Sequence, residues 1–129
     1  MTVEELKTPS WGCIHFVSSE AAAPLRAAAP GQVVATIDGG QIEEPRQLFA
    51  FLAEALGFPD YFGHNWDALD ECLRDLSWLP GTGYVLFVDH ATRFWERGHR
   101  TAGTLVEVWL DAACEWNRES IPFHLVFVW

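Results

Sequence analysis

From position 32 onward, apolar residues recur along the chain with two periods that take turns. Gln32 to Ile37 carries Val33, Val34 and Ile37 over a strand's length, and the turn residues Asp38-Gly39-Gly40 follow at once. Pro45 to Leu56 then puts Leu48, Phe49, Leu52, Ala55 and Leu56 on one side of a helix, with Gly57 where a C-terminal cap belongs. Leu69, Cys72, Leu73 and Leu76 repeat the helical spacing, and Tyr84 to Val88 is an unbroken apolar run of strand length. Thr104 to Trp116 returns to the helical period through Leu105, Val108, Trp109, Ala112, Ala113 and Trp116, and Leu125 to Val128 closes the chain as a strand. Strands that alternate with helices predict an α/β fold, a small three-layer domain whose mainly parallel sheet is covered by helices.

Upstream of this core, Trp11 to Val17 alternates and predicts an extra N-terminal strand that adds an edge to the sheet. Ala21 to Ala29 is alanine-rich and helix-prone, but Pro24 and Pro30 bound or break it. The stretch lacks the basic leader and the apolar core of a signal peptide. Met1 to Ser10 reads as a frayed, polar end. The chain of 129 residues, half of them apolar, reads as one domain over 1–129, with an extension at 11–31 and the core at 32–129. No apolar run approaches the ~20 residues that span a bilayer, and the expected location is the cytoplasm. Cys13, Cys72 and Cys114 are odd in number and far apart, which fits reduced, buried thiols better than a disulfide framework or a zinc site.

Charge narrows the partner. Eighteen acidic residues against eight basic ones give a formal net charge of −10. Direct binding of nucleic acid is disfavoured by its phosphates, and a basic protein is favoured for the same reason.

The chemistry concentrates in Phe58-Pro59-Asp60-Tyr61-Phe62-Gly63-His64-Asn65-Trp66-Asp67-Ala68-Leu69-Asp70-Glu71-Cys72-Leu73. Pro59 keeps Phe58 out of the helical region and ends what precedes it. Gly63 tolerates positive φ and suits a tight turn, and Asn65 is placed to cap the next helix. Opposite the apolar stripe fall Asp67, Asp70, Glu71, Arg74 and Asp75. Asp67 and Glu71 are like charges four apart, an arrangement that costs roughly 0.2–0.5 kcal/mol. The helix dipole offsets part of that at Asp67, and Arg74 has Asp70 and Glu71 within reach. A solvated face accounts for many acidic runs. Here a glycine turn, an Asn cap, Tyr61 and crowded acids converge on one helix end, a form suited to a cationic cleft.

This segment resembles the signature of the barstar family, small intracellular inhibitors that plug the active site of secreted ribonucleases. The family's Pro-x-Tyr-aromatic-Gly-x-Asn-x-Asp-Ala-Leu pattern is met by Pro59, Tyr61, Phe62, Gly63, Asn65, Asp67, Ala68 and Leu69. The resemblance implies that Tyr61, Gly63, Asn65 and Asp67 line the loop and helix start that meet the nuclease. It departs from barstar at Asp70-Glu71, where an aromatic and an aspartate stand. Glu71 keeps the charge of that aspartate with one more methylene and more side-chain entropy to lose. Trp66 either supplies an aromatic contact in place of the missing ring or folds back onto the core. By gapped similarity, Asp111 on the last long helix matches an acid that also points toward the ribonuclease, although an exposed Asp beside an apolar stripe is equally explained by solvation.

The implied function is a one-to-one inhibitor or immunity protein for a basic secreted or delivered ribonuclease, with no cofactor, no metal and no catalysis. The rival reading keeps the fold and changes the partner, to a non-ribonuclease toxin or to a basic nucleic-acid-binding protein that it would mimic nucleic acid to reach. An enzyme built on Asp67, Glu71 and His64 is disfavoured because the carboxylates share one exposed helix rather than face each other across a cleft. The chain holds no His-Glu-x-x-His and no Gly-x-Ser-x-Gly, and Gly81-Thr82-Gly83 is too short for a phosphate loop. His15 and His124 lie in apolar strands, where satisfied core histidines are expected.

Overall fold

Four parallel strands, β1 (Ile14–Val17), β2 (Gln32–Asp38), β3 (Gly83–Asp89) and β4 (Phe123–Val128), form one sheet in the order β1-β4-β3-β2 in the computed structural model, which describes residues 1–27 and 29–129. The predicted N-terminal strand is therefore real and takes the edge beside β4, with Ile14 level with Leu125. Parallel neighbours cannot be joined by a hairpin, so each crossover carries helices. These are α2 (Ser19–Leu25), α3 (Pro45–Ala55), α4 (Trp66–Asp75), α5 (Ala91–Arg97) and α6 (His99–Arg118), while α1 (Val3–Leu6) precedes β1. Among the described residues, no helix is long and apolar enough to cross a membrane.

Alternation along the strands divides the core in two. Ala35, Ile37, Tyr84, Leu86, Val88, Phe123, Leu125 and Phe127 face the larger layer, where they meet buried residues of α3, α4, α5 and α6. Val17, Val85, Phe87, Val126 and Val128 face the smaller layer and meet Leu6, Ala22 and Leu25. The result is the three-layer α/β arrangement that the periodicity predicts.

Several element boundaries differ from the sequence expectation. Met1 to Ser10 was expected to fray. Instead Thr2 caps α1 by accepting from the Glu5 N–H at 3.3 Å, and Leu6 is buried in the smaller core. The alanine-rich stretch 21–29 is helical only as far as Leu25; its helix begins at Ser19, capped by Ser18, and Ala28 lies outside the described residues. α5 is an addition, and α6 starts at His99 rather than Thr104, with Thr101 and Ala102 buried.

The two strand histidines, His124 buried and His15 only half-buried, are satisfied by each other and by the backbone. His124 donates from Nε2 to the Thr8 carbonyl at 2.8 Å, which leaves its Nδ1 to accept from His15 Nε2, also at 2.8 Å. Burial and the neighbouring His124 ring push the His15 imidazole down to about 4, and burial lowers His124 as well. Cys13 and Cys72 are buried and Cys114 half-buried, all three as free thiols; burial pushes the Cys13 thiol up to about 11.

Candidate partner-binding site

The loop between α3 and α4 is held from beneath by aromatic rings. After α3, Gly57 turns the chain at φ 61° and the Phe58 N–H donates to the Ala53 carbonyl at 2.9 Å. The Phe62 N–H then donates to the Pro59 carbonyl, also at 2.9 Å, which closes a second turn. Phe58 and Phe62 are buried with ring centroids 4.8 Å apart; Phe62 meets Phe49 edge-on at 6.1 Å, and Phe58 meets Trp78 at 5.9 Å. With both rings facing inward, Tyr61 is 75% exposed, and Gly63, His64 and Asn65 are exposed beside it.

Gly63 does not take the left-handed conformation expected of it. That conformation belongs to His64, at φ 50°. Gly63 favours closeness instead: a Cβ there would stand 3.1 Å from Asn65 Nδ2, the group that donates to the Gly63 carbonyl at 3.2 Å. Asn65 caps α4 as expected, its Oδ1 accepting from the Ala68 N–H at 2.8 Å. The amide therefore joins the loop to the helix.

Trp66 folds inward. Its ring meets Phe49 edge-on at 5.0 Å and packs on the larger core, half-buried. Asp67 is exposed in the first turn of α4, and Glu71 is exposed one turn later. Neither has an ion-pair partner among the described residues. Asp70 differs, because it accepts from Arg74 Nε at 2.9 Å. Arg74 uses a second arm, Nη1, on Glu115 of α6 at 2.7 Å. One turn before Glu115 on the same helix stands Asp111, exposed. The Trp116 Nε1 donates to the Leu73 carbonyl at 2.8 Å and locks the two helices together from inside.

Tyr61, Phe62, Ala68, Glu71, Cys72 and Asp75 line a cleft of about 120 Å³ between the loop and α4. Asp75 and Glu115 are the members of this surface that the sequence reading did not assign to the site. Asp75 was legible as an outer-face acid, whereas Glu115 enters only through Arg74. For the enzyme reading, His64 rests its ring 4.8 Å from that of Phe62, and no hydrogen bond joins it to Asp67 or Glu71 among the described residues. Among those residues, no group of three or more His, Cys, Asp or Glu is gathered for a metal.

The arrangement is an acidic surface with an exposed tyrosine, and it lies inside a match between residues 32–128 and the family model described as Barstar (barnase inhibitor). The chain belongs to the barstar family. A Bacillus subtilis (strain 168) protein named "Putative ribonuclease inhibitor YrdF" is 46% identical over 46 residues, a stretch that covers 36% of this chain and 50% of that relative. The chain thus spans about half the length of the curated relative it matches. The barstar-family match runs from β2 to β4 and includes the loop, α4 and α6; α1, β1 and α2 precede it.

Proposed function

We propose that this barstar-family protein inhibits a basic ribonuclease by one-to-one docking in the cytoplasm, setting the 57–65 loop and the exposed face of α4 into the enzyme's cationic cleft. No cofactor and no catalytic step is involved. The observation that carries this reading is the state of Asp67 and Glu71: both stand exposed and without an ion-pair partner among the described residues, beside a loop already ordered by buried rings. Carboxylates kept free cost the isolated protein repulsion, which a partner's arginines or lysines would relieve. A pre-ordered loop also spares the complex the entropy of immobilising it. Family membership and the name of the Bacillus subtilis relative support the same reading.

The test is titration of the protein into barnase while cleavage of a fluorogenic RNA is followed, at low and at moderate salt. Loss of activity at one equivalent, weakening with salt, is the expected result. Asp67→Ala and Glu71→Ala should each weaken binding by ~2 kcal/mol, about 30-fold. Full affinity in both variants would remove the site assignment. An absence of inhibition would instead turn the search toward a different toxin or a basic nucleic-acid-binding protein.

A further inference from the structure

One cation stands within the acidic surface, and its contacts sort the carboxylates around it. Arg74 holds Asp70 of its own helix and Glu115 of α6 at 2.9 and 2.7 Å, through two different nitrogens of one planar fork. The pairing with Asp70 follows from sequence, since an acid four residues before a base is the favourable helical order. The pairing with Glu115 follows from the packing of α4 on α6. Asp67, Glu71, Asp75 and Asp111 have no such partner among the described residues.

We infer that Arg74 is a specificity-determining residue of the docking surface, an inference that rests on the inhibitor reading above. It withdraws Asp70 and Glu115 from the partner and leaves Asp67, Glu71 and Asp75 as the carboxylates of α4 that seek a cation. Arg74 is 31% exposed and uses only Nε and Nη1 in these pairs, so its guanidinium has N–H donors to spare at the same surface. The fitting partner therefore sets arginine or lysine against Asp67 and Glu71, and a carbonyl or carboxylate against Arg74. A further cation opposite Arg74 gains less than one opposite an unpaired carboxylate, because the guanidinium already neutralises part of the charge of Asp70 and Glu115.

Arg74→Gln tests this, with barnase as the probe. Freeing two carboxylates should raise the association rate ~3-fold at low salt, with the gain fading at moderate salt. Equal rates for the variant and the wild type at low salt would overturn the inference. A second measurement does not depend on the nuclease: titration of both proteins with a hexa-arginine peptide, read by amide chemical shifts. In the wild type the response should centre on Asp67, Glu71 and Asp75, and in Arg74→Gln it should spread to Asp70 and Glu115. A response at Glu115 as large in the wild type as in the variant would overturn the inference. The expected peptide pattern without barnase binding would support it, and the ribonuclease reading alone would fall.

Discussion

Asn65 holds the start of α4 and the loop before it with a single amide, accepting from the Ala68 N–H and donating to the Gly63 carbonyl. Asn65→Ala loses both bonds and is expected to cost ~1–2 kcal/mol in urea denaturation, the upper part of the range for a lost N-cap. Asn65→Asp keeps the acceptor and gives up only the donor, so it should lose less. A loss in Asn65→Asp equal to that in Asn65→Ala would show that the bond to Gly63, not the cap, carries the stability. The cap was legible because Asn before an amphipathic run has one common use. The conformation of its neighbours was not. Glycine is the default at positive φ, yet His64 takes that place at φ 50°. Asn65 needs the Gly63 carbonyl close at hand, and a Cβ on residue 63 would crowd the amide that reaches for it. That constraint lies in three-dimensional contact, where residue preference alone does not reach.

At the scale of elements, the 57–65 loop owes its order to the rings beneath it. Phe62 is the centre of that set, touching Phe49, Phe58 and His64. Phe62→Ala should cost ~3–4 kcal/mol of stability and slow nuclease capture as well, because the loop would then be ordered only on binding. Urea denaturation and the nuclease titration check the two effects separately; a stability loss below ~1 kcal/mol, the scale of a lost methylene, would mean that other contacts hold the loop. Long elements with a repeated apolar face, such as α3 and α4, were readable from spacing. α1 and α5 were not, since a helix of one or two turns shows no period, and the apolar residues that fix them, Leu6, Ala91 and Phe94, look isolated in sequence. The same limit applies to the acidic surface. A local rule places Asp70 near Arg74, but the Arg74–Glu115 bond joins residues 41 positions apart and exists only because α4 packs on α6.

For the molecule as a whole, pH acts through the histidines of β1 and β4. The His15–His124–Thr8 chain of bonds ties β1, β4 and the segment after α1 together, and it requires His124 neutral, since its Nδ1 must accept. The His15 imidazole is pushed down to about 4, chiefly by burial and then by His124, while an unfolded histidine titrates near ~6.5. Above that value neither state binds the proton, and the full stability is present. As pH falls from ~6.5 toward 4, the unfolded chain takes up protons that the folded chain refuses, and stability declines; below that window both bind and this loss levels off. His124 shifts in the same direction. Asp38 adds a separate loss at lower pH, because hydrogen bonds from Gln41 and then His90 hold its carboxyl below the usual range, and that stability goes as the carboxylate is protonated. Urea midpoints should therefore be level above neutrality and fall between pH ~6.5 and ~4 by ~1–3 kcal/mol equivalent. His15→Gln, which cannot take up the proton in either state, should make this decline shallower and leave the part that His124 contributes. A wild-type profile level across the window would mean that the two imidazoles are protonated in the fold at no cost, and the bonded chain from His15 to Thr8 would have to be abandoned as the clasp of the N-terminal segment.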